Sequence, residues 1–121
     1  MPGRVYFQLM TEKERSPVSA SSPVPLREMV SYQDGSIVSR MLINTASGTV
    51  TLFAFDKGQG LSEHSAPYDA LLINLEGQLE VTIEGTPYLV MEGEMILMPA
   101  RVPHAVRAIS PFKMMLVMIH A

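Results

Sequence analysis

The sequence contains no cysteine and no tryptophan. The missing cysteines exclude disulfides, thiolate metal ligands and cysteine nucleophiles together. Charge is also sparse: charged residues make up 17% of the chain and the formal net charge is −3. No basic patch is therefore on offer to nucleic acid or to an anionic membrane surface. No window approaches the roughly 18 apolar residues that a spanning helix requires, and the start carries no charged-then-apolar leader. These absences predict a cytoplasmic protein with no nucleic-acid and no membrane partner. Clean helical periodicity is missing as well over any stretch longer than about ten residues, which predicts little helix.

What is present is apolar and strand-prone. Hydrophobic residues account for 47% of 121 residues, enough for one domain around a single core. Ten methionines supply soft, adaptable side chains suited to a core or to a pocket wall. Turn signals recur at Asp34-Gly35, Ala46-Ser47-Gly48, Asp56-Lys57-Gly58, Glu76-Gly77, Glu84-Gly85 and Glu92-Gly93. Between and after them lie SIVSRMLIN, TVTLFAF, ALLINL, QLEVTIE, PYLVM, MILM, HAVRAI and FKMMLVMIH, rich in Val, Ile, Thr and Phe. Short strands at this spacing predict an all-β sandwich or barrel. Residues 1–25 are expected to form a flexible or peripheral N-terminal segment, because SPVSASSPVP (16–25) can neither propagate a helix nor fill a core. The opening MPGRVYFQL reads either as an appended tail or as a frayed edge strand, with Met10 as an alternative start. Residues 26–121 are expected to form the single folded domain.

Strand faces are legible too. In QLEVTIE, Leu79, Val81 and Ile83 alternate with polar residues, so one face packs and the other meets water. ALLINL and MMLVMI are apolar without interruption, which predicts cover on both sides. A partner subunit supplies such cover economically, so a homodimer is expected; two central core strands are the alternative.

Chemistry concentrates in two segments, GQGLSEHSAPYDALLINLEG (Gly58–Gly77) and GEMILMPARVPHAV (Gly93–Val106), each with one histidine after a Gly/Pro-punctuated bend. Gly58, His64, Pro67 and Gly77 resemble the first signature motif of the cupin superfamily, and Gly93, Pro99 and His104 resemble the second. The chain is thus identified as resembling a small single-domain cupin of the conserved-barrel, RmlC-like type. The fold this implies is a small jelly-roll barrel, the double-stranded β-helix, with the two segments on facing strands.

The resemblance also implies a metal-ligand set of three histidines and a glutamate in the barrel mouth. His64 and His104 match two of those positions. The second histidine position falls on Ala66 and the glutamate position on Ala70, while Arg101 stands where a glycine is usual and Ala108 where an asparagine is common. The expected site is therefore a two-histidine pocket, His64 and His104, holding at most one divalent transition metal weakly (zinc, nickel, iron, manganese or copper). The alternative is a pair of neutral imidazoles hydrogen-bonded to each other, to water or to backbone.

Alternation puts Leu72 and Asn74 on the inner face with His64, and Met98 and Val106 beside His104. Arg40, Thr49, Thr51 and either Phe53 or Phe55 are further wall candidates from the preceding hairpin. Asp69 lies one residue before the glutamate slot. It is expected to cap a turn or bind backbone amides unless a bulge beside Pro67 turns it inward. Glu63 is expected to point away from His64, Gln59 and Ser62 are weaker polar candidates, and His120 is expected at the surface or an interface. Arg101 and Arg107 are expected at the surface, with pairing to a ligand carboxylate near the mouth as the alternative. The function expected first is binding of a small, partly apolar molecule with an anionic or hydrogen-bonding end. A metal-dependent enzyme such as a dioxygenase comes second. A metal-free isomerase or epimerase comes third, with a histidine base and Tyr68 or Tyr88 as acid candidates.

Overall fold

The predicted turns fall where the chain reverses. The computed structural model describes the backbone of residues 4–7 and the whole of residues 21–120. In chain order the strands are β1 (Arg4–Phe7), β2 (Ser36–Thr45), β3 (Gly48–Phe55), β4 (Gly60–His64), β5 (Asp69–Glu76), β6 (Leu79–Ile83), β7 (Thr86–Val90), β8 (Met95–Met98), β9 (His104–Ala108) and β10 (Phe112–Ile119). Among the described residues the only helix is a 3-10 turn over Leu26–Met29, and no described helix is long and apolar enough to cross a membrane. The expectation that residues 1–25 are peripheral falls largely outside the described residues, apart from β1, which pairs parallel with β2 at the edge of a sheet, and residues 21–25, which are exposed and outside any strand.

One sheet has six strands in the order β1-β2-β3-β10-β5-β8, and the other has four in the order β4-β9-β6-β7. Non-sequential neighbours in both sheets give an all-β jelly-roll barrel. Strand β4 is the element that composition did not announce. Its five residues, GLSEH, hold one apolar side chain and carry no period-2 pattern, so only pairing with β9 makes it a strand.

Register sorts the inward side chains into rows. At one end, Thr49, Met118, Ala70 and Met98 lie side by side across β3, β10, β5 and β8, and in the facing sheet His64, His104 and Ile83 lie side by side across β4, β9 and β6. One step deeper come Thr51, Leu116, Leu72 and Ile96, facing Leu61, Val106 and Val81. The far end is sealed by Phe55 stacked on Phe112, ring centroids 4.4 Å apart. The apolar members of these rows and the Phe55–Phe112 pair belong to one cluster, in which each fully buried large residue contributes about 1.5–3 kcal/mol.

A second cluster lies on the outside of the larger sheet. The segment from Leu26 to Tyr32 straps across it and packs Leu26, Met29 and Val30 onto Val38, Leu52, Ala54, Leu75 and Met115. Polar latches hold the strap: Arg40 and Lys113 donate to the carbonyls of Met29 and Arg27, and the Tyr32 hydroxyl donates to Glu76 at 2.6 Å. Burial, then the Glu76 carboxylate, push the Tyr32 hydroxyl well above its usual range, so it remains a donor. The double-sided apolar run of β10 thus has an internal cover at Met115. Beyond the strap, Leu71, Ile73 and Val117 continue the outer face to Met95, Leu97 and Ile119, which are 65%, 52% and 59% exposed.

Candidate functional site

The site lies at the end of the barrel where β4, β8 and β10 finish and β5 and β9 begin. His64 and His104 are register partners across β4 and β9, with imidazole centroids 4.4 Å apart and planes at 68°, edge to face. His104 is buried and His64 is exposed, so the pair spans the boundary between core and solvent.

A bulge places His64 there. Leu61 packs into the interior cluster opposite Val106, and three residues later His64 stands opposite His104, an odd separation that an uninterrupted strand cannot put on one face. The register shift between Leu61 and His64 inserts one extra residue, so that Ser62 and Glu63, both exposed, together oppose Ala105. The Ser62 carbonyl, released within this bulge, accepts from His64 Nδ1 at 2.8 Å, and the Val102 carbonyl accepts from His104 Nδ1 at 3.2 Å. Both imidazoles are thereby fixed in the tautomer that leaves Nε2 unprotonated, the form that accepts a hydrogen bond or ligates a metal.

Burial lowers the pKa of His104, opposed in part by its bond to Val102 and reinforced by His64. The native state therefore withholds a proton that the unfolded chain takes up near pH 6.5. The resulting stability is complete above about pH 6.5 and is lost as the pH falls through the folded-state value. Thermal melts are expected to give a lower Tm at pH 5.5 than at pH 7.5, with a smaller difference in His104→Gln; an equal difference in the variant would contradict this assignment.

The remaining sequence candidates divide clearly. Met98, Leu72 and Val106 are buried in the interior cluster, Met98 in the outermost row and the other two one step below it. Asn74 differs from expectation. Although inward and fully buried, its amide donates to the carbonyls of Gly77 (2.8 Å) and Val90 (3.1 Å) and accepts from the Glu76 N–H (3.0 Å). Both N–H donors and one lone pair of the oxygen are spent on backbone, which makes Asn74 a structural anchor with no donor left for a ligand. Asp69 accepts from the Ala100 N–H at 2.9 Å, so it fastens the segment before His104 and stays out of the mouth. Arg107 lies on the outer face of the smaller sheet, 3.6 Å from Glu80, where with Ser62 and Thr82 it borders a surface hollow of about 300 Å³. Gln59 keeps a buried side-chain oxygen that has no partner among the described residues. Thr51, Phe53 and Phe55 share the inner face of β3, whereas Arg40 is tied to the strap.

At two rim residues the structure adds what the sequence reading lacked, a stacking partner for His120 and a left-handed backbone at Arg101. His120 stands one residue past β10 and stacks on Tyr68, centroids 4.0 Å apart, with its Nδ1 on the Ala46 carbonyl. The signal was the inward alternation Met114, Leu116, Met118, which His120 continues. Tyr88, by contrast, is exposed on the edge strand β7. Arg101 has φ +65 and donates its N–H to Ala66 at 2.7 Å, which explains why glycine is usual there: a side chain in this region costs about 1–2 kcal/mol. Arg101→Gly is expected to raise stability by about 1 kcal/mol, read as the midpoint shift in urea unfolding, because strain relief exceeds glycine's added entropy cost.

Comparison with known proteins agrees with this architecture. The Cupin domain family model matches residues 51–120. The chain belongs to the cupin family. A conserved protein of unknown function from Streptococcus pyogenes is 36% identical, with TM-score 0.82 over 86% of this chain and 91% of that one. A cupin 2 conserved barrel domain protein from Leptotrichia buccalis is 39% identical, with TM-score 0.75 over 78% of this chain and 46% of that one, so this chain spans under half its length. A cupin superfamily protein from Desulfitobacterium hafniense shares the fold at 22% identity, TM-score 0.81, over 86% and 95% of the two chains. Among curated proteins none matches the sequence.

The metal centre implied by the family pattern was tested against the residues present. Ala70, at the glutamate position, is inward and packed in the apolar cluster. Among the described residues no group of three His, Asp or Glu side chains is arranged to hold a metal ion. The residues do not fit a three-histidine, one-glutamate centre.

Proposed function

We infer that this cupin binds a small molecule in the barrel mouth, holding its polar end with His64 and His104 against an apolar, methionine-bearing wall. The observation that carries the reading is the imidazole pair itself: both Nδ1 atoms are tied to backbone, neither Nε2 atom makes a hydrogen bond among the described residues, and one ring lies in the core while the other meets solvent. Such a site suits a partly apolar molecule whose hydroxyl, amide or acid group reaches the imidazoles. A divalent transition metal would be a weak guest on two imidazoles and water. The test is a thermal-shift screen of small acids, sugars and aromatics on the parent protein and on His64→Ala. Molecules that raise the parent's Tm and leave the variant's unchanged support the reading, since only binding to the folded form shifts the melt. Equal shifts in both proteins would sink it.

The partner that best accounts for the outer face is a second copy of the chain. The strap covers part of that face, and Leu71, Ile73, Met95, Leu97, Val117 and Ile119 continue it beyond the strap. Isologous contact between two such faces covers it symmetrically, provided each side contributes about 800 Å². Light scattering is expected to give the mass of two chains, and Leu97→Arg with Ile119→Arg the mass of one at unchanged circular dichroism. A parent monomer at micromolar concentration would refute the interface.

A further inference from the structure

The smaller sheet has an outer face that the mouth does not use. Val81 and Val106 pack into the interior cluster, so the rows on either side of them, Gly60–Arg107–Glu80 and Ala105–Thr82, turn to solvent. Ser62 joins the second row as half of the bulge opposite Ala105. These six residues border the hollow of about 300 Å³. Small residues make the space. Gly60 stands beside Arg107 at a point where a Cβ would run into the Val106 carbonyl oxygen, so the place next to the arginine holds no side chain. Ala105 keeps the adjacent row shallow. Arg107 and Glu80 approach to 3.6 Å, with side chains 62% and 33% exposed. A pair so open to water contributes little, so exchanging it for contacts with a guest costs little.

We propose that this hollow is a second binding site, for the zwitterionic head of a free α-amino acid, with its carboxylate on Arg107 and its ammonium on Glu80. Charge decides the class. The two side chains cancel, so a simple anion loses at Glu80 what it gains at Arg107, and a simple cation does the reverse. A molecule that carries both charges on one carbon matches neighbours set 3.6 Å apart. The planar guanidinium takes a carboxylate through two N–H donors, and Ser62 and Thr82 border the same space with hydroxyls. The volume lies at the small end of the range for ligand sites, which suits a single amino acid. Ser62 also gives occupancy a route inward. Its carbonyl accepts from His64 Nδ1, so a guest against the bulge bears on the residue that orients that ring. The hollow lies outside the barrel and does not depend on the reading of the mouth.

The experiment is an NMR titration of the protein with L-serine, and with 3-hydroxypropionate and ethanolamine, which keep the hydroxyl and only one of the two charges. Serine is expected to shift the backbone amides of Gly60, Ser62, Thr82 and Arg107 to saturation. Each half-molecule is expected to bind about tenfold or more weakly, the loss of one charge-assisted hydrogen bond. Arg107→Gln and Glu80→Gln lie on the outer face, where such changes disturb stability little, and each is expected to weaken serine by a similar factor. The His64 ring resonances are expected to move with the same midpoint as the amides. His64→Ala is expected to keep the amide shifts, which separates this site from the mouth. No shift with serine, half-molecules that bind as tightly as serine, or charge variants that bind like the parent would each overturn the proposal. So would amide shifts that vanish in His64→Ala, since they would place serine in the mouth. A His64 ring that stays still while the amides move would refute the route through the bulge.

Discussion

Gly77→Ala is expected to cost about 4 kcal/mol or more and to leave little folded protein at ordinary temperature, against the roughly 5–15 kcal/mol that holds a domain together. Two effects combine. Gly77 sits at φ +82 in the turn between β5 and β6, where an L side chain is strained by about 1–2 kcal/mol. A Cβ there would also run into the carbonyl oxygen of Pro111 and come within 2.9 Å of Phe112 Cα, backbone that cannot step aside without moving the head of β10. Phe112 in turn seals the barrel floor against Phe55. The control is Gly85→Ala, at φ +81 with nothing within 4 Å of the added carbon, which is expected to cost only about 1–2 kcal/mol of conformational strain. Urea unfolding of both variants measures the difference. Equal losses would show that the close approach at Pro111 is relieved cheaply and would refute the steric argument.

Asn74→Leu is expected to destabilise by about 3–5 kcal/mol although the change adds apolar volume to an apolar interior. It would strip partners from the carbonyls of Gly77 and Val90 and from the N–H of Glu76, and each buried group left unpaired costs about 1–3 kcal/mol. Asn74 also bonds through its own backbone to Glu94 and Gly93, so the β5–β6 turn and the β7–β8 turn are tied through one residue. Asn74→Asp separates polarity from volume. Its carboxylate would face two carbonyl oxygens, so burial and repulsion hold its folded pKa above the unfolded value near 3.9. By linkage that variant is most stable below about pH 4 and loses stability as the pH rises through the folded pKa, opposite in sign to the His104 effect. Chemical unfolding at pH 5 and pH 8 checks this. An Asn74→Leu protein as stable as the parent would mean that the amide serves something other than the turns, restoring Asn74 as a pocket candidate.

The strap and the Tyr68–His120 stack show why some of the site was not readable in advance. Leu26, Met29 and Val30 form no amphipathic period, and their burial depends on landing on β2, β3 and β10, residues far away in sequence. His120 looked like a residue near a chain end; its position on the rim follows from strand parity and from Tyr68 arriving beside it at the start of β5.

The local chemistry of the chain determined a good deal by itself. Gly-bearing turns at short spacing, β-branched runs and the alternation of Leu79, Val81 and Ile83 dictated strands and their inner faces, because turn geometry and the two-residue side-chain period act over a few residues. The Gly58–Gly77 and Gly93–Val106 segments likewise marked the fold family and placed two histidines among its ligand positions. Tertiary structure decided the rest. A bulge at Ser62–Glu63 set His64 opposite His104, on the side that alternation from Leu61 would have denied it. Backbone carbonyls at Ser62 and Val102 chose the imidazole tautomers. Pairing across β5, β8 and β10 put Met98 and Met118 on either side of Ala70, and the turns claimed Asn74. Each of these depends on which backbone groups meet across strands distant in sequence, and that is settled only when the sheets form.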